Sequence, residues 1–418
     1  MHHQPIKEQK NMNRNEVLDY LRGLAVFMVL LAHWGTMGSN PPATASLLHL
    51  SVLPSSSGQD FISKILTNWT SFASNLWPLN INFASGGVLL FFLVSGFVIP
   101  MSVEKYSPLS FGIRRAFRLL PTLWVAIFFV LALNLILRKI GYANEQPFSI
   151  SQIFANMFLV HDWFWIPHID LGFWTLVVEV KFYIAMAALV VLSGRITLPA
   201  VAGLTAFLLF ITVPFHDFQG TSDYVELLKL SDQSGYSWVF YLFRVLNNST
   251  PYVIYMLIGT VIFLFQQNRI QAGTTFVACA TLFALFATAF LIGPTGSAQL
   301  YYVSDGLKAL TIFSCTVIIN RSRYLSGRLV IFSFIFKFLG RISYSLYLIH
   351  GLFGMSLIYA LWMWSGNINI SMLIGGAFVF LITTLVNRFV EEPSQSIGSK
   401  IAKSVSSSPP PSLSEDSV

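Results

Sequence analysis

Apolar runs of roughly 17 residues or more, long enough to cross a hydrocarbon layer of about 30 Å, recur along most of this chain. Short polar or basic connections separate them, and the pattern predicts an all-α, polytopic membrane helical bundle of about ten transmembrane helices. The predicted spans are 17–36, 83–101, 118–137, 172–193, 196–214, 250–266, 272–292, 300–320, 341–363 and 371–390. Between the third and fourth, residues 140–171 carry the run His161-Asp162-Trp163-Phe164-Trp165-Ile166-Pro167-His168, which reads as interfacial or re-entrant rather than spanning. Connections 37–82 and 215–249 are rich in Ser, Asn, Pro and Gly and are expected to wall an extracytoplasmic opening. The chain divides into a cytoplasmic N-terminal segment 1–16, a membrane domain 17–395 and a cytoplasmic tail 396–418. Ser and Pro dominate the end of that tail, so it is expected to be disordered.

Charge orients this bundle. With the N-terminus inside, all 25 Lys and Arg fall on the cytoplasmic side except Lys64, Arg138, Lys139, Lys229 and Arg244, and Lys181 and Lys308 within spans. That asymmetry places both termini in the cytoplasm of a multi-pass protein of the cell's inner (plasma) membrane. The segment Met1–Asn15 is polar, and the apolar run after it is too long, and lacks a small-residue cleavage pattern, for a signal peptide. The composition agrees, at 55% hydrophobic, 10% charged and a mean hydropathy of +0.66. A net charge of +7 would invite nucleic acid in a soluble protein, but no basic face with interleaved aromatics is present, so no nucleic-acid partner is expected. Cys279 and Cys315 both lie in apolar segments, which supports neither a disulfide framework nor a metal site.

Ionisable residues inside the spans are costly, and they stand out. The first span carries Asp19, Arg22 and His33. Arg22 and His33 are eleven residues apart, on nearly one helix face and roughly 16 Å apart along the axis. Asp19 lies three residues before Arg22 and is placed to pair with it. Snorkelling of Arg22 and interfacial placement of His33 beside Trp34 is the structural alternative. Span two ends Gly86-Gly87-Val88-Leu89-Leu90-Phe91-Phe92-Leu93-Val94-Ser95-Gly96-Phe97-Val98-Ile99-Pro100; its small residues permit close helix approach and Pro100 can break the helix. Arg115 and Arg118 open span three on one helical face, suited either to anchoring or to a polyphosphate ligand. In span four, Glu179 and Lys181 point to opposite faces and so serve different partners. Span nine aligns Ser343, Tyr347 and His350 on one stripe.

A membrane-buried set of His, Asp, Arg, Glu and Tyr with an inner arginine cluster fits general acid/base group transfer from a phosphate-bearing cytoplasmic donor. The same residues suit a transporter that moves an acyl donor, a sugar or protons without bond chemistry, although no inverted repeat or pair of broken helices is evident.

Several motifs also occur in order along the chain. They are Leu18-Asp19-Tyr20-Leu21-Arg22-Gly23 with His33; Phe91-Phe92-Leu93-Val94-Ser95-Gly96-Phe97-Val98; Arg115-Ala116-Phe117-Arg118-Leu119; Trp174-Thr175-Leu176 with Glu179, Phe182 and Tyr183; Ile342-Ser343-Tyr344-Ser345-Leu346-Tyr347-Leu348-Ile349-His350; and Val390-Glu391-Glu392-Pro393. Over residues 14–395 the chain resembles the acyltransferase-3 integral membrane acyltransferases, in their stand-alone form. The resemblance implies transfer of an acyl group, usually acetyl, from acyl-coenzyme A to a hydroxyl of a carbohydrate or glycoconjugate. The donor is then a cosubstrate, with no tightly bound cofactor and no metal. His33 is expected as general base or acyl acceptor, Arg22 as the group that positions the donor or polarises its thioester, and Asp19 as the residue that orients Arg22. Arg115 and Arg118 would hold the donor's phosphates, and Glu179, Tyr183, Trp174, Ser95, Tyr347 and His350 would build the cavity. Besides the lipid bilayer, expected partners are a separate extracytoplasmic transferase for any second transfer step, or further copies in a homo-oligomer.

Overall fold

A computed structural model describes residues 5–38, 40–54, 61–73, 75–143, 148–212, 245–246, 248–291, 300–321 and 330–407, and every regular element among them is helical. In chain order the helices are α1 (Pro5–Thr36), α2 (Pro41–Leu47), α3 (Phe61–Ala73), α4 (Phe83–Lys105), α5 (Pro108–Lys139), α6 (Ile150–Met157), α7 (Phe173–Ser193), α8 (Leu198–Thr212), α9 (Thr250–Gln266), α10 (Ala272–Leu291), α11 (Leu300–Arg321), α12 (Val330–Arg341), α13 (Ser343–Ile349), α14 (Met355–Ser365), α15 (Ile368–Val386) and α16 (Glu392–Ser407). A 3-10 turn, His161–Phe164, precedes α7, and wide turns at His350–Gly354 and Asn387–Glu391 join α13 to α14 and α15 to α16.

Seven helical segments among the described residues are long and apolar enough to cross a membrane: Glu16–Thr36, Phe83–Lys105, Pro108–Lys139, Phe173–Ser193, Ala272–Phe290, Ser343–Ser365 and Ile368–Ser406. The expected spans at 196–214 and 250–266 fall on shorter apolar helices, Leu198–Ile211 and Thr250–Gln266. The expected span at 300–320 falls on α11, which carries Asp305 and Lys308. The bundle's outer surface is apolar, with Phe128, Leu192, Phe276, Phe334 and Leu373 all largely exposed, as lipid-facing side chains are.

The polar start and stop residues work as their chemistry requires. Asn82 accepts from the Ala84 and Ser85 N–H groups to open α4, and Ser107, followed by Pro108, opens α5. Proline does not break the second span: α4 runs through Pro100 to Lys105. A proline cannot donate to the carbonyl four residues earlier, so Gly96 O is left free, and the Thr260 hydroxyl of α9 donates to it at 3.0 Å. Pro121 in α5 is compensated in the same way, because the freed Phe117 carbonyl accepts from Ser394 Oγ at 2.9 Å.

Two glycine contacts set the helix spacing. A Cβ on Gly23 would lie 1.9 Å from Phe336 O, and one on Gly340 would lie 1.9 Å from Asp19 O, so α1 and α12 touch backbone to backbone beside Arg22. At the α4–α9 crossing a Cβ on Gly96 would lie 1.9 Å from Met256 O.

One expectation changes. The tail is not disordered from residue 396, because α16 continues to Ser407 and lies against α5: Ser110 Oγ donates to Ala402 O at 2.9 Å and Arg114 Nη1 to Ser399 Oγ at 2.8 Å. These small polar residues bond to another helix rather than to water; residues 408–418 lie outside the described residues. Of the two long connections, 37–82 contains α2 and α3, and 213–244 lies outside the described residues. Among the described residues of 140–171 the regular elements are α6 and the 3-10 turn, both too short to span a membrane.

Candidate active site

α1 carries its ionisable residues on the face turned toward α4, α12 and α13. Arg22 Nη1 bonds Asp19 Oδ1 at 3.2 Å, the predicted pair. Arg22 then reaches a cleft of about 60 Å³ shared with Arg118, Ser95, Glu179, Ser343 and Tyr347. Its floor is a carboxylate held by two hydroxyls: Glu179 Oε1 accepts from Ser95 Oγ at 3.0 Å and from Tyr183 OH at 2.6 Å. Arg22, paired with Asp19, and Arg118, beside Glu179, bring two guanidinium forks to this cleft, whose N–H groups suit an anion or a polarised carbonyl. Its volume suits a few waters, and a larger group enters only when side chains move.

Arg115 does not line that cleft. One turn before Arg118, it lies over the rings of Phe111 and Tyr183, each 5.4 Å away, where α5 meets α7. Lys181 takes the other face of α7, as its spacing from Glu179 predicts: its ammonium bonds Asp162, Val245 O and Ser249 Oγ.

The second centre sits beyond Tyr347. His33 Nδ1 and His350 Nε2 are 3.0 Å apart, with the ring planes within 9° of each other. His350 Nδ1 faces two carbonyl oxygens, Leu346 O at 3.0 Å and Tyr347 O at 2.9 Å. Carbonyls only accept, so a neutral His350 carries its proton on Nδ1 and presents a lone pair at Nε2. His33 must then donate from Nδ1, which leaves His33 Nε2 as the basic nitrogen. This is the tautomer logic of a base oriented by a second group, with a histidine in place of the usual carboxylate. Trp34 Nε1 donates to His350 O at 3.1 Å and ties the two helices together beside the pair.

His350 is 1% exposed and begins the wide turn His350–Gly354, where Gly351 leaves helical geometry at ψ −118°. Asp170, also 1% exposed, fills this break: it accepts from Leu352 N at 2.5 Å and from Gly172 N at 3.0 Å. A Cβ at position 351 would lie 2.5 Å from Asp170 Oδ1, so the carboxylate fits only because that residue is glycine. Burial pushes the Asp170 carboxyl up to about 6, against the pull of the two N–H groups.

Tyr347 joins the two centres. It lines the arginine cleft, bonds Thr175 Oγ1 at 2.9 Å and packs its ring 5.8 Å from that of His350. Trp174 faces away from both, packed on Phe92 and Tyr252 and lining a separate cavity.

Asp170 was missed from the sequence because a lone acid in an aromatic loop carries no periodic signal. Glu391 was legible only as part of Val390-Glu391-Glu392-Pro393. It is buried and accepts from Ser345 Oγ at 2.6 Å and Asn387 Nδ2 at 3.0 Å, fastening α13 to the turn before α16.

The fold and this pair of centres define a multi-pass membrane protein with a histidine pair and an arginine-lined cleft between its helices. A family model described as an acyltransferase domain, acyltransferase-3, matches residues 15–388, and the chain belongs to that family. Nodulation protein 10 of Rhizobium leguminosarum bv. viciae is 28% identical over 151 residues, which cover 31% of this chain and 40% of that relative. The match thus spans less than half of the relative's length. No solved structure matches the chain.

Proposed function

We propose that this protein is a membrane O-acyltransferase that moves an acyl group, acetyl in the simplest case, from acyl-coenzyme A to a hydroxyl of a carbohydrate or glycoconjugate. The observation that carries this reading is the His33–His350 pair, whose carbonyl contacts leave a basic nitrogen at His33 Nε2. His33 Nε2 takes the proton of the acceptor O–H as that oxygen attacks the thioester carbonyl. The C–S bond then breaks, and the departing thiolate takes the proton back from the His33 imidazolium. His350 Nε2 accepts from His33 Nδ1–H throughout and stabilises the transient cation. The acceptor oxygen ends as an ester and coenzyme A leaves as the thiol.

The eleven-residue spacing of Arg22 and His33 supports a division of roles. Roughly 16 Å of helix separates them, which is beyond the reach of one arginine side chain to the atoms that His33 touches. Arg22, held by Asp19, therefore positions the donor, and Arg118 faces the same cleft and contributes a second cation for its phosphates. The donor's pantetheine arm would span the distance to His33 past Tyr347. The carbohydrate acceptor and the coenzyme A donor rest on the resemblance of the ordered motifs, and the inner-membrane location with both termini cytoplasmic rests on the basic asymmetry of the sequence.

The deciding experiment is release of coenzyme A thiol by purified protein in lipid, given acetyl-coenzyme A and a glycan panel, with His33→Ala alongside. Histidine-dependent release with recovery of an acetylated glycan is expected. Wild-type rates in correctly inserted His33→Ala, or no release with any acceptor, would overturn the reading.

A further inference from the structure

A cavity of about 260 Å³ lies between the 3-10 turn His161–Phe164, the first turns of α7 and the chain entering α9. It belongs to neither centre described above. His161, Asp162, Trp165, Trp174, Asn248 and Ser249 are among its walls.

We propose that this cavity is the acceptor subsite and holds one neutral, polyhydroxylated sugar ring, a proposal that rests on the reading of the protein as a carbohydrate O-acyltransferase.

Three independent observations support it. The first is an unpaired nitrogen. His161 is 3% exposed and lines the cavity, and its Nδ1 has no hydrogen-bond partner among the described residues. Burial, reinforced by His168, pushes His161 down to about 4, so the ring is neutral at pH 7. A guest hydroxyl, which both donates and accepts, can answer that nitrogen in either tautomer once the ring turns toward the cavity.

The second is charge. Lys181 and Asp162 are paired, and the ammonium spends its remaining hydrogens on Val245 O and Ser249 Oγ. The two charges cancel and the cation has no hydrogen left for a phosphate, so the cavity selects a neutral guest. The arginine cleft presents two guanidinium forks instead, and the proposal puts donor and acceptor in different compartments.

The third is aromatic presentation. Trp165 is 40% exposed at the cavity and has a left-handed backbone at φ 57°, a conformation that a bulky side chain rarely adopts and that clusters at binding sites. Trp174 supplies a second aromatic wall. Flat indole faces with polar groups around their edge suit the apolar face and hydroxyl rim of a pyranose, and the volume is that of a single ring rather than a drug-sized ligand. Trp174 packs on Phe92, which lines the arginine cleft, at 6.1 Å, and its neighbour Thr175 bonds Tyr347, whose ring packs 5.8 Å from that of His350, so the cavity adjoins the residues that run to the histidine pair.

The test is saturation-transfer difference NMR on the full-length protein in lipid nanodiscs. The probes are methyl glycosides of glucose, galactose, mannose and N-acetylglucosamine, applied to wild type, Trp165→Ala, His161→Gln and the lipid-facing control Leu192→Ala. Saturable binding of at least one glycoside is expected, weakened about tenfold or more by each cavity substitution and unchanged in the control. No saturable binding by wild type, or equal binding by both cavity variants, overturns the proposal. Thiol release measured on the same preparations separates the two readings: release with a glycan in the absence of cavity binding leaves the transferase reading standing, whereas binding without release removes that reading and leaves the cavity a sugar site.

Discussion

Replacing His350 by phenylalanine tests the orienting half of the histidine pair. The substitution keeps a ring of similar size beside His33 and Tyr347 but removes the Nε2 lone pair that accepts from His33 Nδ1 at 3.0 Å. That hydrogen bond is present before and during transfer, so only its strengthening when His33 becomes an imidazolium, about 1–1.5 kcal/mol, counts toward kcat. At about 1.4 kcal/mol per factor of ten, kcat for thiol release is expected to fall roughly fivefold to tenfold. His350→Gln, whose amide oxygen can accept, should lose less than His350→Phe. His33→Ala should lose about 100-fold to 10,000-fold, the range of general base catalysis, and adding His350→Phe to it should cost little more because the two act as a unit. The assay is thiol release at saturating acetyl-coenzyme A, on variants that keep the wild-type size-exclusion profile. Wild-type turnover in His350→Phe, or a double variant lower by the product of the two single effects, would refute the pairing.

Three further outcomes follow from other contacts. Arg118→Ala should raise KM for acyl-coenzyme A by about tenfold or more and leave KM for the acceptor unmoved, as steady-state kinetics with each substrate varied will show. Gly340→Ala drives a methyl to 1.9 Å from the Asp19 carbonyl, a backbone atom that cannot step aside, and should destabilise the α1–α12 contact by about 1–3 kcal/mol, visible as a lowered melting temperature in detergent; an unchanged value contradicts the backbone contact. Asp170 is raised in the folded state to about 6 from 3.8, so its favourable contribution is full below about 4 and is lost as the pH rises through 6. That segment amounts to about 3 kcal/mol, and wild type should gain stability relative to Asp170→Asn between pH 7 and pH 4, whereas parallel profiles would contradict it.

The interior of the bundle shows where local reading suffices. Arg22 and Asp19 pair because three residues on a helix bring side chains together whatever surrounds them. Glu179 and Lys181 separate for the same reason, one to Ser95 and Tyr183 and the other to Asp162 and Ser249. Pro100 shows where it does not: the residue that compensates it, Thr260, is 160 positions away and belongs to another helix. Residues 396–407 are helical where composition predicts disorder, because Ser399 and Ser406 find partners on α5 in Arg114 and Ser110.

Length and periodicity of the apolar runs by themselves determined that the chain is a helical membrane bundle, because runs of about 20 apolar residues match the length of a crossing helix, which satisfies nearly all of its backbone groups internally. The same local rules picked out Arg22, His33, Arg118, Glu179 and Tyr347 as buried polar groups that needed a reason. Only the tertiary structure decided which of them meet. The approach of His33 to His350 across 317 positions, the insertion of Asp170 into the break at Gly351, the turning of Arg115 away from the cleft and the pocket beside His161 all depend on how separate helices pack. Packing is set by complementary shape across the whole bundle, and no window along the chain contains it.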